Sequence, residues 1–216
     1  MIRLDGYTHT PLSENAASES LREALLKTTR AAELPRTPLL RARIDTFIAQ
    51  AFHHCPVVDQ SEISGLTASV LLQQGLYMAG NLIMHDFNGP KRSHEYYQKV
   101  KFLLWTNYET DPVQILKAMC LMSFWSLQPS NPINLDGPWK WIALGTQLAI
   151  QMGLHREATY RGRSNKGCLR RIFWHLHVCE HFSHDIHALT GWSRILIRYK
   201  LLAGVGLHCL GVASSM

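Results

Sequence analysis

The sequence predicts an all-α fold, a bundle-like domain of about seven helices joined by short loops. Apolar residues recur every three or four positions from Ser18 onward, which is the spacing of amphipathic helices. No segment shows the sustained alternation of a half-buried strand. The chain has 216 residues, 46% of them hydrophobic, which is enough for one domain with a core.

The first two helices are predicted from their apolar faces and from the prolines beside them. Residues 18–34 place Leu21, Ala24, Leu25 and Thr28 on one face, and Pro35 and Pro38 follow. Residues 39–55 form the second helix, which stops before Pro56. Its predicted core face consists of Leu40, Ile44, Phe47, Ile48 and Ala51.

The middle of the chain predicts three more helices. Residues 62–83 read as one long apolar helix, followed by a turn at Asn-Gly-Pro, residues 88–90. Ser93 is a good N-cap for the next helix, whose predicted stripe is Tyr97, Val100 and Leu104. Asp111 followed by Pro112 predicts a further start, a capping acid and then proline in the first turn.

The last third predicts two helices flanking a basic linker. One helix ends near Gly153, which is expected at the C′ position. The linker runs from His155 to about Gly167, and the final helix begins at Cys168. Apart from residues 1–17, which are expected to be disordered, and an atypical tail at 191–216, residues 18–190 form the domain.

Charge and cysteine content exclude some classes of protein. The net charge is +6, which is compatible with a polyanionic partner. The five cysteines are scattered without a C-x-x-C pair, so neither a disulfide framework nor a zinc ribbon is expected. No signal peptide is evident, and Arg198, Lys200 and His208 interrupt the apolar tract 195–213, so no membrane span is expected.

The segments PWKWIALGTQLAIQMGLHREA (138–158) and LRRIFWHLHVCEHF (169–182) carry a resemblance to a known family. They resemble the central signature of the fungal-specific transcription factor domain, the middle homology region of fungal binuclear zinc cluster transcription factors. FIAQAFHHCPVVD (47–59) resembles the opening helix and loop of that domain. The signature residues are Gly153, Leu154, His155, Arg156, Arg170, Arg171 and Trp174.

The resemblance implies a non-enzymatic, nuclear regulatory domain of RNA polymerase II transcription. Its expected partners are coregulator proteins or an attached DNA-binding domain, with DNA reached only indirectly, and a small-molecule effector is an open alternative. Zinc would belong to a six-cysteine segment that these residues do not contain, so no cofactor is expected here. Glu180 and His181 replace the family's Asp-Arg pair, and the tail suggests a truncated or altered C-terminus.

The basic linker admits two interpretations. Arg161, Arg163 and Lys166 could contact phosphates or a protein partner. Alternatively, Arg156, Arg170 and Arg171 hold the linker against the bundle through acidic side chains. The acids expected for that role are Asp136, Glu180 and Asp185.

The histidine-rich helix, residues 175–187, supports the alternative of a small-molecule-binding protein or an enzyme. His177, His181 and His184 share one face, but they span about 10 Å of helical rise, so one metal ion is not expected to bind all three. Cys179 lies one turn after His175, as in a thiol–imidazole pair, although a core role is favoured. Core positions are also expected for the larger aromatic and methionine residues: Trp105, Met119, Met122, Phe124, Trp125, Trp139, Trp141, Phe173 and Trp174.

Overall fold

The structure is a computed structural model that describes residues 11–64, 69–84, 88–124 and 137–188. These residues form α-helices and no strand, which confirms the all-α prediction. The helices are α1 (Pro11–Thr29), α2 (Thr37–Gln50), α3 (Gln60–Ser64), α4 (Val70–Ile83), α5 (Gly89–Trp105), α6 (Pro112–Met122), α7 (Pro138–Gln151) and α8 (Lys166–Ala188). A short 3₁₀ helix, Glu157–Tyr160, lies between α7 and α8.

Helix α4 lies at the centre of the described fold. Every side chain from residue 71 to residue 81 is buried, because α2, α5 and α6 all pack against this helix. Ser69 caps its start by accepting a hydrogen bond from the Leu72 amide (3.2 Å). Gly80 permits the backbones of α4 and α2 to approach each other closely, since a Cβ at this position would lie 2.2 Å from the Arg43 carbonyl oxygen of α2.

Helix α6 connects this centre to α7 and α8. A Cβ at Gly145 would meet the Leu176 side chain of α8 at 2.9 Å, so α7 and α8 pack closely. Trp141 of α7 is almost fully buried and its indole Nε1 donates to the Tyr97 hydroxyl of α5 (3.1 Å). The large indole is therefore buried with its polar nitrogen satisfied.

Several predicted helix signals are confirmed. The α2 positions Leu40, Ile44, Phe47 and Ala51 are buried, and Ile48 packs against the same core. Asp111 caps α6 by accepting from the Val113 amide (2.9 Å). These local signals depend only on neighbouring residues, which is why the sequence predicts them well.

Other element predictions are corrected by the structure. The region 62–83 contains two helices, α3 and α4, rather than one. Ser93 is not an N-cap: it lies inside α5, where its buried hydroxyl donates to the Met78 carbonyl of α4 (2.9 Å). Helix α1 begins at Pro11, and Leu21 and Leu25 of its predicted apolar face are exposed. The predicted apolar face of α1 therefore contributes little to the core. Leu26 of the same helix, in contrast, packs against the core.

The expected core aromatics divide into two groups. Met122 and Trp141 are buried, and Met119, Phe124 and Phe173 pack against the core while partly exposed. Trp105 and Trp174, in contrast, are 57% and 61% exposed, so the core prediction is wrong for both. Trp139 is half-buried and Trp125 lies outside the described residues.

Cys55, Cys120 and Cys168 are buried free thiols and Cys179 is half-buried. Within the described ranges, the helices lack the combination of length and apolarity required to cross a bilayer. The tail 191–216, the apolar tract 195–213 and Cys209 lie outside these ranges, and residues 1–10 do as well.

Candidate functional site

The candidate site is the junction between α7 and α8, and it begins at the end of α7. Gly153 adopts φ +74°, as predicted for a C′ glycine. Its amide donates to the Ile150 carbonyl and the Leu154 amide donates to the Ala149 carbonyl, each at 2.9 Å. This pair of bonds is a Schellman motif, and the Leu154 side chain that follows is buried.

The loop after Gly153 is held by two hydroxyl groups. Thr159 Oγ1 donates to the Gly153 carbonyl (2.7 Å), and the Tyr160 hydroxyl donates to the Leu154 carbonyl. Arg170 of α8 lies over the Tyr160 ring, 5.0 Å from its centroid, and pairs with Glu157. The linker is therefore an ordered turn that leads directly into α8.

Arg171 extends in a different direction, toward residues 56–62, which we call the strap. Its Nε donates to the Pro56 carbonyl (2.7 Å), and its guanidinium pairs with Asp59. One turn earlier in α8, the Cys168 thiol donates to the Val57 carbonyl (3.4 Å). Because Val57 and its neighbour Val58 are fully buried, these bonds hold an apolar segment of the strap beneath α8.

The far end of the strap is bound by α6. Lys117, only 2% exposed, donates from Nζ to both carboxylate oxygens of Glu62 at 2.6 and 2.7 Å. Gln114 donates to the same carboxylate (3.1 Å), and the Asp59 amide does so within the strap (3.1 Å). Burial raises the pKa of Glu62, but these bonds outweigh it and the pKa lies below its ordinary value.

The acids that the arginines use differ from those expected. Arg171 pairs with Asp59 and Arg170 with Glu157, rather than with Glu180. The difference arises because Arg170 and Arg171 diverge by about 100° around α8 and so reach separate elements. Asp136 and the Asp185 side chain lie outside the described residues.

The remaining basic residues of the junction lie at the surface. Arg156 is exposed and its Nε donates to the His155 ring (3.0 Å). Arg161, Arg163 and Lys166 are exposed as well, and the part of the chain that the structure describes gives them no acidic partner. Their predicted contact with phosphate or a protein partner stays a prediction.

Sequence reasoning missed the contribution of Glu62 and Lys117. The available signal was a lysine inside the apolar run of α6, a position where a cation is seldom found without an acid. The acid itself was not identifiable, since Glu62 precedes Lys117 by 55 residues.

A second cluster surrounds His175. Its Nε2 lies 3.8 Å from the Cys179 thiol, as the helical spacing predicts, and 3.7 Å from the Cys55 thiol. Burial lowers the pKa of His175 to about 4, although a hydrogen bond to the His54 backbone opposes the shift. Burial also raises the pKa of Cys179 to about 11 and that of Cys55 well above its ordinary value.

These pKa shifts keep both thiols protonated and the imidazole neutral near pH 7. A reactive thiolate–imidazolium pair needs the opposite shift in thiol pKa. The cluster of Cys55, His175 and Cys179 therefore does not have the protonation state of such a pair.

Of the three histidines that share one face of the final helix, the structure describes the side chain of His177. His177 stacks on Phe173 with ring centroids 6.1 Å apart, and Trp174 meets it edge-on at 5.6 Å. The side chains of His181, His184 and His187 lie outside the described residues. Across the described side chains, no group of three or more His, Cys, Asp or Glu residues could hold a metal ion.

Comparison with known proteins identifies the family. Residues 44–184 match the family pattern of the fungal specific transcription factor domain. The chain is 22% identical over 183 residues to cutinase transcription factor 1 beta of Fusarium vanettenii, covering 76% of the chain and 20% of that protein. It is 27% identical over 191 residues to cutinase transcription factor 1 alpha of the same organism, covering 78% and 21%.

A protein of Fusarium pseudograminearum named transcription factor is 26% identical over 128 residues, which cover 55% of the chain and 14% of that protein. No solved structure matches the chain. The chain thus spans about a fifth of the length of the first two relatives. It belongs to the fungal specific transcription factor domain family and is an all-α regulatory domain of a fungal transcription factor.

Proposed function

We propose that this domain acts in the nucleus through protein–protein contacts, with coregulators or with an attached DNA-binding domain. DNA is then reached only through that attached domain. A small-molecule effector remains an expectation of the sequence, and no described contact favours a particular one.

This proposal depends on one observation: the signature arginines Arg170 and Arg171 bind groups of their own domain. Arg171 and Arg170, which gave the linker the appearance of a nucleic-acid grip, contact the strap and Glu157 respectively. Four exposed cations without an acidic partner among the described residues remain at the junction: Arg156, Arg161, Arg163 and Lys166. A specific DNA interface usually combines a larger set of phosphate contacts with an element that enters a groove.

The alternative of an enzyme using the helix 175–187 receives less support. A nucleophilic thiol needs a pKa near or below the working pH, whereas that of Cys179 is about 11. The pKa of about 4 for His175 also leaves it a poor base near pH 7. We therefore propose a non-enzymatic role.

A tethering experiment tests this function. Residues 1–216 are fused to a heterologous DNA-binding head, and transcription of a reporter is measured in a fungal host against the head alone. We expect the fusion to change reporter transcription severalfold, and we expect the unfused chain to bind no duplex DNA in a gel shift at physiological salt. Unaltered transcription, or salt-sensitive DNA binding by the unfused chain, would contradict the proposal.

A further inference from the structure

Helix α8 presents a line of exposed side chains at intervals of four residues: Lys166, Arg170, Trp174 and Val178. We call this line the α8 ridge. The opposite side of the helix, with Cys168, Leu169, Ile172 and Leu176, is buried in the core. The ridge is therefore the outer face of a helix whose inner face is already packed.

The ridge changes character along its length. Its N-terminal half is basic, and exposed Arg161 and Arg163 of the preceding loop extend that charge. Its C-terminal half is apolar, with Trp174 61% exposed and Val178 44% exposed. Glu157, an acid beside this surface, is paired with Arg170.

The exposed tryptophan is the feature that most requires an explanation. Trp174 is not loosely placed, because His177 packs against its ring and Phe173 in turn stacks on His177. An ordered, solvent-exposed indole beside arginine is the combination that protein interfaces use most heavily for binding energy. Aromatic side chains that are left exposed in this way mark interaction surfaces more often than scattered aliphatic ones do.

We propose that the α8 ridge binds an acidic amphipathic peptide segment of a protein partner. Carboxylates of that segment face Lys166 and Arg170, and its apolar side chains cover Trp174 and Val178. Charge complementarity determines this choice of occupant, and the N-terminal dipole of α8 adds to the positive potential at the basic end. The proposal rests on the proposed function, since it names the class of partner through which the domain would act.

The size of the ridge fits a short helix. Twelve residues separate Lys166 from Val178, a rise of about 18 Å along the axis. A partner helix of about 12 residues, with anchors at intervals of three or four, covers that length. Nucleic acid fits less well, because half of the ridge is apolar and offers nothing to a phosphate backbone.

Peptide selection tests the proposal without assuming a sequence. A display library of random 16-residue peptides is selected on the immobilised 216-residue chain, and the enriched peptides are measured by fluorescence anisotropy. We expect enriched peptides to combine acidic residues with apolar residues at helical spacing, and their binding to weaken with salt. Enriched peptides that lack acids, or no enrichment at all, would overturn the proposal.

Variants locate the binding surface. Trp174→Ala is expected to weaken peptide binding about tenfold or more, because it removes the apolar anchor. Lys166→Glu should weaken it about fivefold or more and flatten the salt dependence. Trp105→Ala is the matched control: this indole is 57% exposed but lies on α5, and its removal should change affinity less than about twofold.

Two results separate failure of the ridge from failure of the proposed function. If the tethered chain alters reporter transcription and Trp174→Ala alters it to the same degree, the ridge proposal fails while the function stands. If a 20-base-pair duplex competes equally with the selected peptide for the wild-type chain, the ridge is a nucleic-acid surface and the peptide proposal is overturned. We expect the duplex not to compete at physiological salt.

Discussion

Replacing Arg171 with alanine removes both bonds by which its guanidinium holds the strap. The bond from Nε to the Pro56 carbonyl, at 2.7 Å, has a charged donor and contributes about 1.5 kcal/mol. The Arg171 and Asp59 side chains are each 37% exposed, so solvent screens the ion pair and it adds only about 0.5 kcal/mol. The expected loss in the free energy of unfolding is therefore about 2 kcal/mol.

Urea unfolding followed by tryptophan fluorescence measures this loss directly. For a chain of this size, about 2 kcal/mol corresponds to a decrease in Tm of about 4–8 °C. The matched control is Arg170→Ala, one residue away in the same helix. Arg170 is 45% exposed and its partner Glu157 is 71% exposed, so we expect a loss of about 0.5 kcal/mol from that ion pair and about 0.5 kcal/mol from the contact with the Tyr160 ring.

The difference in free energy of unfolding between Arg171→Ala and Arg170→Ala tests whether Arg171 holds the strap. An unchanged Tm for Arg171→Ala, or equal losses in both variants, would refute the role given to the strap. Arg171→Lys should recover only part of the loss, because lysine lacks the fork that reaches the carbonyl and the carboxylate together. A coupling of about 0.5 kcal/mol in the double-mutant cycle with Asp59→Ala would identify the ion pair.

Three further predictions use the same unfolding measurement. Lys117→Ala should cost about 3 kcal/mol by leaving the Glu62 carboxylate without its cation, and the Lys117→Met/Glu62→Gln double variant should recover part of that loss. Between pH 7 and pH 5 the free energy of unfolding of the wild-type chain should fall by about 2 kcal/mol. The His175→Gln variant should not show this loss. The reason is that the unfolded imidazole takes up a proton below its ordinary pKa of 6.5, whereas the folded one stays neutral down to about 4, so folding weakens as the pH falls. Gly80→Ala should lower the free energy of unfolding by about 3 kcal/mol or more. The added Cβ would lie 2.2 Å from the Arg43 carbonyl oxygen, so the backbones of α2 and α4 must separate. Unaltered stability would disprove that close approach.

The sequence was most informative where structure depends on neighbouring residues. The Asp111 cap and the C′ glycine Gly153 are local devices, and both are found where the residue types place them. The apolar face of α2 is also correct, because a period of 3.6 residues assigns each position to a side of the helix. The helical content of the domain follows from the same periodicity.

Contacts distant in the sequence were not predictable in this way. The sequence predicts Asp136, Glu180 or Asp185 as the partner of Arg171, whereas its actual partner Asp59 lies 112 residues before it. Cys55 likewise approaches His175 from 120 residues away, whereas the helical spacing predicts the contact with Cys179, one turn along the same helix. The core prediction for Trp174 is wrong because an indole at the surface and one that fills a core look alike in sequence.

The strap has a consequence for how the chain is made. Residues 56–62 emerge from the ribosome long before α8, since Arg171 follows Asp59 by 112 residues. At about 5–20 residues per second, the interval between them is roughly 6–20 s. During that time Val57 and Val58 have no α8 to cover them, so the nascent chain exposes an apolar segment. We therefore expect synthesis rate and chaperone supply, in addition to final stability, to affect how much of the domain reaches its folded form.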